Sequence, residues 1–449
     1  MGGRCSGVGL ATCRSLRVFG VKNLSLANRN LRSGSTLTLC LALLVATATF
    51  ADPNESVNRL TEAAKEHRTR LDFDGDTFSG PALGQLLNRA RSAQLFLIGE
   101  EHGIAENPRL AAQLFATLVA DGYEKLVIEV SPPAAAILET AVASDGLEGL
   151  RALYATPGGE PAFFGMQEEA ELLVTVHAAL PDAADVFWGV DYEVAGDRPL
   201  LRRLREMERP VSSNSPLDIL IAASDAAWSQ YVETGNPQYI FSFSGDPALV
   251  TAAIEAWPDA NDEAARILET LRTTLEINQL WVQGSGWESN ARRAANFRSN
   301  FLRYWQAARR DGEAPRVMAK LGGNHLVRGR NLTGTFDLGA LLPEIAAAEG
   351  SRSFSLLVLP GTDSMTAVLD PSSWTYSPQP AKDNYAKGIE ALTDAAYSDA
   401  FTLIDLSALR PIVGSSTEKF GADVARVVHG FDMLLIMSGS TASSELEHD

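Results

Sequence analysis

Five short, mostly apolar runs set the strongest limit on how this chain folds. Gln94 to Ile98, Leu126 to Val130, Val186 to Asp191, Arg316 to Lys320 and Phe354 to Leu359 have the length and character of buried strands. Between the first two, Asn107-Pro108 gives a helix start with proline at its first position, and Leu110, Leu114 and Leu118 recur at helical spacing until Asp121-Gly122 stops it. Pro132-Pro133 opens the next helix. Strand, helix, strand, helix at this spacing is a βαβ unit, so the expected class is α/β, with a mostly parallel central sheet flanked by helices.

The pattern continues with helices predicted over Glu168 to Ala179 and Pro199 to Met207. From Ser215 to Gln306 strand signal gives way to helical stretches at Leu217 to Tyr231, Pro247 to Ala256, Asp262 to Trp281 and Glu288 to Trp305. These read as a helical insertion or lid joined to a crossover helix of the sheet, with Trp228, Trp257 and Trp281 in its core. Phe401 to Ile404 and Met433 to Ile436 complete the predicted sheet, and Pro371 to Lys387 reads as a loop. The expected organisation is therefore a leader over 1–51, a polar segment with one helix over 52–91, and a first part of the α/β core over 92–214. The insertion follows over 215–306, then the second part of the core over 307–440 and a polar tail over 441–449.

The leader is set apart by charge. Residues 1–51 hold six basic side chains and no acidic one, so the rest of the chain carries −24 of a total formal charge of −18. The basic region is followed by an apolar run from Leu37 to Val45, small residues, and then Asp52-Pro53, which is the order of a secretory signal peptide cleaved near Ala48 or Ala51. A periplasmic or secreted protein is expected, with mitochondrial targeting the alternative. All three cysteines (Cys5, Cys13, Cys40) fall in the leader, which leaves no thiol in the expected mature chain for disulfides, metal or nucleophilic attack. The acidic balance has the wrong sign for nucleic acid, and no later run is long enough to span a bilayer, so the expected partner is a small-molecule or peptide substrate.

In a parallel sheet the ligand crevice lies beyond the carboxyl ends of the strands. Four clusters sit at such ends. They are Gly99-Glu100-Glu101-His102-Gly103 with Glu106, then Glu129, then Asp191-Tyr192-Glu193, and then Gly322-Gly323-Asn324-His325. A neutral imidazole beside a carboxylate takes a proton from water, and the carboxylate fixes its tautomer. Glycines allow close backbone approach, and a second histidine beside an asparagine offers hydrogen bonds to a carbonyl gaining negative charge. Glu129 is notable because a carboxylate in an apolar strand is costly unless paired or at an exposed end. Asp191 and Glu193 serve equally well as caps for the following helix. His67, His177, His429 and His448 read as structural or solvated.

Other schemes find no support. The chain has no Gly-x-Ser-x-Gly elbow, no Gly-x-x-x-x-Gly-Lys-Ser/Thr loop, no Gly-x-Gly-x-x-Gly after a strand and no His-Glu-x-x-His. A divalent metal on the oxygen and nitrogen donors stays open, since no ligand spacing is diagnostic.

At these residues the sequence resembles the erythromycin esterase-like, ChaN-like and TIKI/TraB-like superfamily. Gly99-Glu100-Glu101-His102 is similar to the Gly-Glu-x-His of the ChaN-like branch and the Gly-x-x-His of the TIKI/TraB-like branch. His102-Gly103-Ile104-Ala105-Glu106 is similar to the His-Gly-x-x-Glu of the esterases. Glu129 stands where the superfamily has a strand-borne Glu, and Asn324-His325 where the esterases have a late histidine. The resemblance runs from about Leu95 to Leu359. It implies that His102 is a general base, that Glu100 or Glu101 orients it, and that Glu129 and His325 complete the site. Arg109 stands for an arginine the esterases use. One departure is that a single residue separates Glu100 from His102, where the esterases have two.

The expected function is thus an exported hydrolase cleaving an ester or related acyl bond with water activated by His102. The catalytic set would be His102, Glu100, Glu101, Glu129 and His325, with Asn324, Glu106, Arg109, Asp191 and Glu193 binding substrate. This reading requires no cofactor. The resemblance also implies two alternatives, a haem- or iron-binding protein using the same groups and a metal-dependent peptidase.

Overall fold

The computed structural model describes residues 53–155, 164–309, 312–381, 388–414 and 417–447. The expected leader, its cysteines and His448 lie outside these residues. The strands, in chain order, are β1 (Arg68–Phe73), β2 (Phe78–Ser79), β3 (Leu95–Glu100), β4 (Tyr123–Ile128), β5 (Phe187–Gly189) and β6 (Arg316–Gly322). They continue with β7 (Ser353–Pro360), β8 (Met365–Asp370), β9 (Thr375–Pro380), β10 (Phe401–Asp405) and β11 (Met433–Met437). Nine of them form one sheet in the order β2-β1-β10-β11-β7-β3-β6-β4-β5. From β11 to β5 neighbouring strands are parallel, and β10, β1 and β2 continue the sheet antiparallel.

The apolar runs are explained by helices on both faces. Phe96, Ile98, Ile128, Met318 and Leu356 point to one face, where they meet Leu86, Leu110, Leu138 and Leu172 from four helices. Leu95, Leu97, Val127, Val317 and Leu357 point to the other, against Phe297, Phe301, Leu342 and Val428. The alternation of odd and even residues between the two clusters is the period of two expected of a strand. Helices Asn214–Thr234, Pro247–Ala256 and Asp262–Val282 bury a third cluster of their own around Trp228, Trp257 and Leu271. Trp281 departs from the expected core position, being 57% exposed. No helix among the described residues is long and apolar enough to cross a membrane.

Two sequence expectations need correction. The 52–91 segment holds helices Pro53–Glu66 and Pro81–Arg91 together with β1 and β2, which extend the sheet. β1 buries only Leu71 fully, so a strand near the sheet margin carries little of the hydrophobic signal that marks a central one. The stretch from Pro371, expected as a loop, contains β9, which forms an antiparallel hairpin with β8. Its prolines obscured it, yet proline is accommodated in a strand with a free edge.

That hairpin and the C-terminal segment hold the loop after β3. Thr366 Oγ1 donates to the His102 carbonyl at 2.9 Å, and the Gly103 carbonyl accepts from the Ala367 and Ser443 amides at 2.8 and 2.9 Å. Gly103 has φ +83°, and a Cβ there would lie 2.2 Å from the Ala367 carbonyl oxygen, so both conformation and space demand glycine. Buried Glu106 fixes the other side of the loop by accepting from the Thr441 amide at 3.0 and 3.1 Å and from its hydroxyl at 2.8 Å.

Replacing Glu106 with alanine leaves the Thr441 donors unmatched. The expected loss is about 1–3 kcal/mol of unfolding free energy in a urea titration. A change below a few tenths would refute this structural role.

Candidate active site

The site forms because β6 lies between β3 and β4. In the β3–β6 register Ile98 is opposite Lys320 and Glu100 is opposite Gly322, while Val127 of β4 is opposite Ala319. The carboxyl ends of three neighbouring strands therefore present Glu100, Lys320 with Gly322, and, one residue past β4, Glu129. Lys320 belongs to the face that packs on helix Gln167–Ala179, and Glu169 of that helix meets it.

Lys320 Nζ donates to Glu100 Oε1 and to Glu169 Oε1, both at 2.6 Å, and all three side chains are buried. Glu100 Oε1 also accepts from His102 Nδ1 at 3.1 Å, which places the proton of the neutral ring on Nδ1 and turns Nε2 outward. Nε2 faces Glu129 Oε2 at 3.6 Å, beyond direct hydrogen-bond length. The His102 side chain is 28% exposed, whereas that of Glu100 is 1% exposed. The imidazole reaches solvent and its acid does not.

Glu129 is the second node. Its Oε2 accepts the Gly322 amide at 2.7 Å, and its Oε1 lies 3.3 Å from Arg293 Nη2 and 3.4 Å from His325 Nε2. Arg293 also donates from Nε and Nη2 to Asp191 at 2.9 and 2.5 Å. His325 Nδ1 donates to Asp337 Oδ2 at 2.7 Å, while Asp337 Oδ1 caps helix Leu338–Ala348 through the Leu338 amide. Phe297 stacks on the His325 ring at 4.4 Å, which fixes its plane.

The ionisation states follow from these contacts. Burial alone raises the pKa of Glu100 and Glu129, but Lys320 and His102 hold Glu100 below the usual range, and His325, His102 and Arg293 do the same for Glu129. Burial lowers the histidines, and their carboxylate partners more than reverse it. His102 is shifted upward, and His325 is pushed up to about 9. For Glu169 burial wins over Lys320, and its pKa rises to about 7. At neutral pH His325 is therefore an imidazolium with both N–H groups directed at carboxylates, which corrects the expectation that it donates to a substrate carbonyl.

The chain brings together Glu100, His102, Glu129, Asp191 and His325 from the expected set. Glu106 serves the Thr441 contact described above. Arg109 Nη2 lies 3.6 Å from Glu168, whose carboxylate accepts from Ser444. Glu193 accepts from Ser131 Oγ at 2.8 Å and the Gly196 amide at 3.2 Å, tying two helix starts together, and burial raises its pKa to about 7. Asn324 Oδ1 accepts the Leu332 amide and so shapes a loop. Glu101 contributes its carbonyl to Asn107 Nδ2, and its side chain lines a cavity shared with Glu100 and Asn324.

Lys320, Glu169, Arg293 and Asp337 were missed by sequence reasoning. Lys320 carried a usable signal, a charge inside the apolar run Val317 to Leu321, of the same kind that marked Glu129. Glu169 looked like an ordinary acid in the first turn of a helix, and Arg293 was one arginine among several on its helix.

Among the described residues no group of three or more His, Asp or Glu side chains is arranged to hold a metal ion. Glu100 Oε1 already faces Lys320, and the two oxygens of Glu129 face Arg293, His325 and the Gly322 amide.

No protein-family profile matches the sequence, and no curated protein matches it. Solved structures match the fold. A protein of Bacillus cereus superposes with a TM-score of 0.53 at 13% identity, over 87% of this chain and 99% of that one. A histidine-to-asparagine mutant of the erythromycin esterase EreC, in its open conformation, gives 0.56 at 14% identity over 84% and 98%. A succinoglycan biosynthesis protein gives 0.52 at 11% identity over 86% and 98%. At such identities the likeness establishes the architecture, that of the erythromycin esterase-like fold.

Glu169 supplies a test of the site's electrostatics. With a folded pKa of about 7 against about 4.3 unfolded, the folded state holds the extra proton between those values, so this group's contribution to stability falls as pH rises through that window and levels off above it. Glu169→Gln cannot titrate. Its unfolding free energy relative to wild type should therefore increase from about pH 5 to about pH 8. A difference that stays constant or decreases would contradict the assigned shift.

Proposed function

We propose that the protein is an exported hydrolase that cleaves an ester or related acyl bond, with water activated by His102. The observation that carries this reading is the His102–Glu100 pair, in which a buried acid fixes one nitrogen of a solvent-reaching imidazole. The fold shared with an erythromycin esterase supports a hydrolase of this architecture.

In the proposed step, His102 Nε2 takes a proton from a water that also donates to Glu129. The water oxygen bonds to the acyl carbon, and the carbonyl electron pair moves onto its oxygen. Arg293, partly exposed and charged, is the cation available to that oxygen. Collapse restores the carbonyl and expels the alkoxide, which recovers the proton from the His102 imidazolium. Glu100 stabilises that imidazolium, and Lys320 keeps Glu100 ionised although it is buried. His325 acts through Glu129, holding it with Asp337 behind, and is a positioning residue.

A panel of esters, lactones and peptides, assayed with and without chelator, tests the reading. His102→Ala should lower kcat by about 10²–10⁴-fold on whichever substrate is cleaved, with an unchanged thermal transition. Because the base must be neutral and its pKa is raised, kcat/KM should climb with pH to a plateau reached above the ordinary imidazole value of about 6.5. Activity that survives His102→Ala, or that chelation abolishes, would overturn the assignment.

A further inference from the structure

A cavity of about 290 Å³ opens beside the proposed catalytic pair. A half-open cleft of this size at the carboxyl end of the sheet is where a parallel α/β fold takes a ligand. One end is formed by Glu100, Glu101 and Asn324, and the walls are mainly apolar, with Leu357 and Leu359 from β7, Val427 and Phe431, while Asp423 and Arg426, paired with each other, line it as well. All four apolar side chains are buried. Leu332, 69% exposed, stands at its outer edge.

Leu332 belongs to a loop anchored at both ends in the site, through the Asn324 contact to its amide and the His325–Asp337 bond. The same loop exposes Phe336 (56%), and Trp287 (60% exposed) lies close to Gly334. An exposed apolar side chain such as Leu332 at the edge of a mainly apolar cavity is the pattern of a ligand groove.

We infer that this cavity takes an aliphatic group of the substrate, so that the preferred esters carry a hydrocarbon chain on the acyl or the alcohol side. The inference rests on the hydrolase reading, which it deepens by naming a substrate class. A charged or sugar-like group would find the polar end and an Asp423–Arg426 pair already bonded to each other, and would leave the walls of β7 and Phe431 unmatched.

Two homologous series separate the sources of the chain. One runs from p-nitrophenyl acetate to octanoate and the other from methyl to octyl acetate. In one arm kcat/KM should rise about fourfold per methylene until the cavity is full. In Val427→Phe, which fills the space, and in Leu332→Asp, which charges its exposed edge without touching the core, the ratio of longest to shortest ester should fall by about tenfold or more. Esters cleaved with no chain-length dependence in either arm, or a ratio unmoved in both variants, would overturn the inference while leaving the hydrolase reading intact. If no ester is cleaved, the hydrolase reading fails and the cavity is judged by binding alone. Octanol should then raise the melting temperature of wild type and His102→Ala, but not of Val427→Phe. A shift equal in all three, or absent in all, would overturn it.

Discussion

One buried ammonium decides the layout of this site. Lys320 stands in the interior of a parallel sheet, where an uncompensated charge would cost several kcal/mol, and it is held there by two carboxylates at 2.6 Å. Burial would ordinarily strip its proton, but Glu100 and Glu169 more than reverse that tendency and leave it cationic. A pair of this kind adds little net stability, since hydrophobic residues of similar volume would serve as well. What it secures is a charged Glu100 at the end of a buried strand, and through Glu100 the orientation of His102.

The cluster also sets its own proton content. Glu100, Glu129, Asp191 and Asp337 face Lys320, Arg293 and His325, which leaves one negative charge that a protonated His102 neutralises. Glu169, with its pKa near 7, adds a second negative charge only as pH rises. Its ionisation and the deprotonation of His102 pass through the same Lys320–Glu100 link. The two groups titrate as parts of one network, so neither is properly described alone. Glu100 Oε2 and Glu169 Oε2 are buried without a hydrogen-bond partner among the described residues, which adds to the cost of ionising Glu169.

Much of this was legible in the amino-acid sequence, and the parts that were not share a cause. The central strands read clearly because burial on both faces makes them apolar throughout, and the residues just beyond Ile98, Val127 and Leu321 were marked by the position of ligand crevices in parallel sheets. β1, near the sheet margin, and β9, in the two-stranded hairpin, were silent, because a strand largely open to solvent has no such requirement. Glu106, Arg109, Glu193 and Asn324 have the right chemistry and neighbourhood, but their side chains turn to Thr441, Glu168, Ser131 and Leu332 instead. Side-chain direction in loops depends on what the rest of the chain brings alongside, here a C-terminal segment more than 300 residues away. Arg293 and Asp337 lie 164 and 208 residues from Glu129 in the sequence, and no local pattern announces them.

The glycines after β6 show how an inference can name the right residues for the wrong purpose. Close backbone approach to a ligand was the expected use of Gly322 and Gly323, and close approach is what they provide. The partner is the protein itself. A Cβ on Gly322 would lie 3.0 Å from His102 Nε2 and 3.3 Å from Glu129 Oε2, and one on Gly323 would lie 2.8 Å from Leu357. Glycine at the first position lets the imidazole and the carboxylate converge over the strand end while the same residue's amide bonds Glu129. His325, Arg293 and Gly322 hold Glu129 in place while the partly exposed imidazole of His102 faces it, a convergence that depends on the absence of two side chains.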